Sequence, residues 1–211
     1  MTKINKMAWD EVFKKDGKIR KSIQEDMPKI FKLFKNHKVE KVLDLGCGSG
    51  RHSVFLAKNG FDVYGIDIAK HGIKISKKWL KTENLKAKLK FGDIYKKLPY
   101  KSNFFDAIVS TQTLHHAKIE DIRNLIKEME RILKPRGLIF VTVLKPFPKK
   151  QIKLIAPRTY INVGYYDKEM PHYKFNKNIL KKEFKNFEIL DLWVEKSKRH
   201  YCLLGQLKKN E

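Results

Sequence analysis

Lys41-Val42-Leu43-Asp44-Leu45-Gly46-Cys47-Gly48-Ser49-Gly50 decides the fold of this chain. Its first half is apolar enough for a strand buried on both faces, and its second half has glycine at alternate positions. Glycine lacks a Cβ and tolerates positive φ, so the backbone can turn tightly there and lie against a ligand. Arg51-His52-Ser53-Val54-Phe55-Leu56-Ala57 then opens a helix whose first N–H groups have no partner within it. Strand, glycine loop and helix start, in that order, make a nucleotide-binding corner of a doubly wound sheet. A second strand, Phe61-Asp62-Val63-Tyr64-Gly65-Ile66, is closed by Asp67. There such a sheet places a carboxylate that accepts from the two hydroxyls of an adenosine ribose.

The spacing within the loop discriminates between ligands. A dinucleotide site has glycines as G-x-G-x-x-G, so that a pyrophosphate rests on the helix start. Here Asp44 precedes Gly46, Gly48 and Gly50. An anion at that point repels a pyrophosphate and attracts a cation. S-adenosylmethionine (SAM) carries an ammonium and a sulfonium and no phosphate, so Asp44 suits it. The alternative for Asp44 is a local hydrogen bond that caps the loop.

These residues resemble class I SAM-dependent methyltransferases. VLDLGCGSGRHSVFLAKNGFDVYGIDIA resembles their first motif and its acidic successor. Phe91-Gly92-Asp93-Ile94 resembles the segment flanking the adenine, and Asn103-Phe104-Phe105-Asp106-Ala107-Ile108-Val109-Ser110 the fourth strand. His115-His116 and Glu130-Arg131-Ile132-Leu133-Lys134-Pro135-Arg136-Gly137 resemble the end of a type 11 methyltransferase domain. Met170-Pro171-His172-Tyr173-Lys174-Phe175 resembles a Pro-His-aromatic stretch of tellurite-resistance-type methyltransferases. The matches up to the domain end cover 39–144 in order, with one departure: the family usually has a second glycine where Arg136 stands.

The resemblance implies a Rossmann-like α/β fold: a doubly wound seven-stranded sheet of order 3-2-1-4-5-7-6, strand 7 antiparallel, with an N-terminal helical lid. It implies methyl transfer from SAM to a small-molecule acceptor. The donor-binding set it suggests is Asp44, Gly46, Cys47, Gly48, Gly50, Asp67, Ile68, Gly92, Asp93, Ile94, Thr111 and Trp9. Trp9 either faces the sulfonium, as aromatic faces attract cations, or packs the lid on the domain. Asp93 either accepts from the adenine amino group or is a turn aspartate. Cys47, between glycines, is read as a small filler. His115, His116 and His172 are candidate bases, since imidazole titrates near neutrality. Adjacent histidines share no face in regular structure and make a poor metal pair. One of them is expected to face the acceptor and the other to cap the following helix, and His172 is equally readable as a structural loop residue.

At 211 residues the chain fits a single domain. We expect a lid over 1–38, a cofactor-binding core over 39–144, a substrate-covering insertion over 145–175 and a helix with a hairpin over 176–211. The insertion is rich in breakers and aromatics: Pro146, Pro148, Pro157, Gly164, Tyr165, Tyr166 and Pro171. No apolar run reaches bilayer length and the start lacks a secretory apolar core, so a cytoplasmic location and no membrane partner are expected. Two cysteines, Cys47 and Cys202, argue against a disulfide framework. The net charge of +24 admits a nucleic-acid partner and hence an RNA methyltransferase as the rival class. Lysine dominates and is scattered, whereas phosphate recognition tends to use arginine's planar fork, so a lysine-rich background is the plainer explanation. A non-catalytic SAM-binding protein is the third class. The oligomeric state is not legible.

The expected elements are helices over 8–15, 51–59, 70–82, 118–133 and 177–184, and an apolar helical stripe at Ile30, Phe31, Leu33 and Phe34. Strands are expected over 87–91, 104–110 and 138–144, the last after a turn at 135–137, with a hairpin over 187–195 and 200–207.

Overall fold

The computed structural model describes residues 3–17, 22–145, 152–163 and 170–209. The quoted stretch supplies β1 (Lys41–Leu45), central and parallel to both β2 (Asp62–Asp67) and β4 (Phe105–Thr111). β3 (Lys88–Phe91) pairs outside β2, and β5 (Leu133–Leu144) outside β4, again in parallel. β9 (Phe187–Val194) and β10 (His200–Leu207) form the final hairpin, β10 running antiparallel to both β5 and β9. The order β3-β2-β1-β4-β5-β10-β9 is the expected one, β9 and β10 being its sixth and seventh strands.

The helices cover both faces because the parallel strands are apolar on both. α2 (Met27–Asn36), α3 (Arg51–Lys58) and α4 (Lys70–Thr82) lie on one side. There Met27, Ile30, Phe34 and Leu56 pack with Val42, Val109 and Phe140. α5 (Ile119–Ile132) and α6 (Lys177–Glu183) lie on the other, where Ile122, Leu125, Ile126, Met129 and Leu180 meet Leu43, Ile108 and Ile139. Each such side chain contributes roughly 1.5–3 kcal/mol when fully buried. Asn176 caps α6 as expected, accepting from the Ile179 N–H at 2.8 Å. α1 (Lys3–Asp16) runs longer than its apolar pattern and docks on α4. No helix among the described residues is long and apolar enough to cross a membrane.

Two regions depart from expectation. The insertion carries its own antiparallel sheet of β6 (Ile152–Ala156), β7 (Thr159–Asn162) and β8 (His172–Tyr173). Pro146, Pro148, Gly164, Tyr165 and Tyr166 lie outside the described residues. The turn expected at 135–137 is absorbed into β5, which already pairs Leu133 with Phe105 and then shifts register. Arg136 sits in that shift at φ 63°, a left-handed conformation suited to glycine. Its side chain is exposed, and its carbonyl accepts from Gln206 Nε2 at 3.0 Å, a bond any residue can make. Arg136→Gly is therefore expected to raise stability by about 0.5 kcal/mol in urea unfolding, relief of strain being partly offset by a freer unfolded chain.

Candidate functional site

All the strand ends that matter open on one edge. The glycine loop leaves β1 there, β2 ends in Asp67, and β4 delivers Thr111 through His116. Gly46, Gly48 and Gly50 adopt φ values of 79°, 52° and 92°, so the loop has the conformation for which glycine is needed. Its surface is closely overlaid: a Cβ on Gly46 would lie 2.3 Å from Thr113 Cγ2, and one on Gly48 2.9 Å from Phe13 Cζ.

Phe13 belongs to α1, which lies across the loop. Asp10 fixes that placement by accepting from the His71 backbone N–H at 2.8 Å and pairing with its Nδ1, also at 2.8 Å. Trp9 packs on Phe13 and, edge to face at 5.1 Å, on His116. The packing role of Trp9 is thus present.

Asp67 closes the loop from below. Its carboxylate accepts from the Gly48 and Ala69 backbone N–H groups, both at 2.8 Å. Asp44 accepts from Ser53 Oγ at 2.7 Å, so the local hydrogen bond weighed as its alternative exists. Burial pushes the Asp44 carboxyl from 3.8 up to about 6, with further upward pressure from the Asp67 charge. Burial also raises Asp67, against the pull of its backbone donors. Two adjacent buried carboxylates held above their ordinary range suit a cationic ligand and oppose a phosphate. This is the chemistry of SAM's ammonium and sulfonium.

Other residues of the expected donor set also have defined places in the structure. The Cys47 side chain packs under the loop towards Gly65 and Leu89, leaving only its backbone at the turn. Ile94 is buried in the main core beside Tyr95 and Leu98, because the segment after Gly92 folds back on the sheet. Asp93 accepts from the Tyr95 N–H at 3.0 Å, forming the turn that was its alternative. Ile68 is half-buried at the end of β2, and Gly92 donates its N–H to the Asp67 carbonyl at 2.9 Å.

His172, distant in sequence, comes to lie beside the adjacent pair His115 and His116. His115 and His116 rings lie 4.1 Å apart, and His172 from β8 meets His116 edge to face at 4.7 Å. Tyr160 stacks on His172 at 5.2 Å. The N-cap position of α5 is taken by Lys118 rather than by either histidine, and the Lys118 side chain makes no capping bond. The ring nitrogens carry different assignments. The Leu144 N–H donates to His115 Nδ1 at 3.3 Å, which puts the His115 proton on Nε2. His172 Nδ1 lies 2.8 Å from the Met170 carbonyl and must donate to it, which makes Nε2 its proton-accepting nitrogen.

Sequence reasoning missed several contributors. Tyr95 donates its hydroxyl to the Thr113 and Leu114 carbonyls, at 3.1 and 3.2 Å, and so fixes the loop that bears the histidines. Tyr160 carried no signal beyond its aromaticity. His52 read as an ordinary helix residue, yet it is buried between Gln24 and Thr111. Beside it, a recess of about 360 Å³ is lined by the 22–25 segment, Arg51, Gln112 and Glu195.

The Methyltransferase domain family matches residues 43–141. The chain is 30% identical over 185 residues to a ubiquinone biosynthesis O-methyltransferase of Pelagibacter ubique, covering 80% of this chain and 75% of that protein. It spans 34% of the length of another matched relative and 51% of a third. Among solved structures, the PH0226 protein of Pyrococcus horikoshii OT3 superposes with a TM-score of 0.75 at 23% identity, covering 94% of this chain and 99% of that one. The 1,6-didemethyltoxoflavin-N1-methyltransferase of Burkholderia thailandensis, with 1,6-didemethyltoxoflavin and S-adenosylhomocysteine bound, gives 0.73 at 15% identity, covering 97% and 87%.

Proposed function

We propose that this chain, which belongs to the class I SAM-dependent methyltransferases, methylates a small planar acceptor bearing an ionisable hydroxyl or ring N–H. The observation that carries this reading is the cluster of Trp9, His116, His172 and Tyr160 rings at the carboxyl edge, next to the glycine loop. Stacked and edge-on rings favour a flat partner of one or two rings. The two relatives named by their reactions, acting in ubiquinone biosynthesis and on didemethyltoxoflavin, point the same way.

SAM, when bound, supplies a methyl group already activated by its sulfonium, so the protein's task is alignment. In this reading Asp67 accepts from the ribose hydroxyls, and Ile68 and Asp93 flank the adenine. Asp44 and the glycine loop receive the methionine end, and Thr111 stands beside it at the end of β4. His172, its tautomer set by the Met170 carbonyl, takes the acceptor's proton on Nε2. His115 and His116 hold that ring in place.

The test is a screen of phenols, catechols, N-heterocycles and tRNA, reading S-adenosylhomocysteine formation. Turnover on tRNA alone would overturn the small-acceptor reading in favour of the rival class. With an active acceptor, His172→Gln is expected to lower kcat about 100-fold. The loss should shrink for acceptors acidic enough to be ionised at the assay pH, and an equal loss across acceptors of different acidity would remove the base role.

A further inference from the structure

We infer that His52 is a positioning residue that turns the Thr111 hydroxyl proton, beside Arg51, towards the α-carboxylate of the methyl donor. The backbone N–H of Gln24 donates to His52 Nε2 at 3.0 Å, so that nitrogen carries the lone pair. A neutral imidazole then holds its proton on Nδ1, which lies 3.0 Å from Thr111 Oγ1. Burial keeps His52 neutral by pushing its pKa well below the usual value, with the Arg51 charge acting in the same direction. Thr111 therefore accepts from His52, and its own proton has no acceptor among the described residues.

Arg51 Nη2 stands 3.5 Å from the same hydroxyl, while Nη1 donates to the Ser22 carbonyl at 3.2 Å. Arg51, which lines the recess, and the Thr111 O–H beside it together suit a carboxylate. Glu195 and Glu25 also line the recess; Glu195 pairs with His200 and accepts from Ser197 Oγ, and Glu25 accepts from the Lys196 N–H. The inference rests on the methyl-donor assignment of this edge and adds to it the carboxylate contact and the residue that orients it.

The two nitrogens of His52 can be separated by substitution. His52→Gln keeps an acceptor near the Nε2 position for Gln24 and loses the donor to Thr111. His52→Asn keeps a donor near the Nδ1 position and loses the acceptor. Calorimetric titration would use S-adenosylhomocysteine and its decarboxylated analogue, 5′-deoxy-5′-(3-aminopropylthio)adenosine, with thermal midpoints taken alongside. Thr111→Val and His52→Gln are expected to weaken S-adenosylhomocysteine about tenfold and leave the analogue nearly unchanged, as for loss of one charge-assisted hydrogen bond. Thr111→Ser and His52→Asn should stay near wild type. Parallel losses on both ligands, or equal behaviour of the two His52 variants, would overturn the inference. Failure of the wild type to bind either ligand would overturn the methyl-donor assignment itself.

Discussion

Gly50→Ala is expected to lower the thermal midpoint by roughly 6–12 °C and to weaken SAM binding by about 100-fold or more. Gly50 sits at φ 92° and ψ 15° as the N-cap of α3, a left-handed conformation that strains any L side chain. A Cβ there would lie 2.0 Å from Ser76 Oγ, 2.7 Å from Ser76 Cβ and 3.1 Å from its Cα. Ser76 is fully buried within α4, so the clash cannot be relieved by rotating a flexible side chain. Strain and overpacking together come to about 3 kcal/mol. The ligand loses more than the fold does, because relief requires parting α4 from the loop whose shape the donor reads. Gly60→Ala is the control: its φ of 80° carries the strain, but the nearest atom to a Cβ is Lys35 Nζ at 3.8 Å. It should cost about 1 kcal/mol and leave SAM binding unchanged. Scanning calorimetry and SAM titration of both variants decide the matter. A Gly50→Ala variant no worse than Gly60→Ala would show that close packing of α4 on the loop is not what shapes the site.

What was legible in the sequence follows from how local each determinant is. The central strands and α4, whose bounds matched to the residue, announce themselves because burial on the sheet imposes an apolar pattern over many residues. The loop was legible because positive φ at alternate positions demands glycine itself. β6 to β8 were not, since β8 is two residues long and β6 shows no alternation of burial. Their pairing across Pro157 and Arg158 is a tertiary choice. Arg136 misled because a residue at positive φ within a register shift looks, in sequence, like a turn. The histidine cluster was half legible: the strand end and the Pro-His-aromatic stretch marked its members. That β8 would carry His172 onto His116 was not written locally. His52 is the clearest failure, because its two partners lie 28 and 59 residues away, and nothing within one helical turn distinguishes it from a solvent-facing residue.

Asp44→Asn is expected to stabilise the ligand-free protein at pH 7 while weakening SAM. The fold holds the Asp44 proton more tightly than the unfolded chain does, its pKa being raised by burial from 3.8 to about 6. Stability associated with this group is therefore fully present below pH 3.8 and is lost as pH rises through 6. By pH 7 that loss is about 3 kcal/mol, at 1.36 kcal/mol for each tenfold change in proton affinity. Asparagine cannot ionise and still accepts from Ser53 through its carbonyl oxygen, so it should recover about 2–3 kcal/mol at pH 7 and nothing near pH 4. Urea unfolding at the two pH values reads this directly. The donor sees the opposite effect. Its positive charges favour ionised Asp44, so SAM binding to the wild type should expel a proton below pH 6 and weaken as the pH falls through that value. In the variant, affinity at pH 7.5 should be about tenfold lower or more and should depend less on pH, the remaining dependence coming from Asp67, which burial also raises. A buried carboxylate that destabilises the empty fold and strengthens the loaded one is what a cation site requires. If Asp44→Asn instead destabilised the protein at pH 7, or left SAM affinity and its pH profile untouched, Asp44 would be a loop fastener for Ser53 and the electrostatic case for a cationic donor would rest on Asp67 alone.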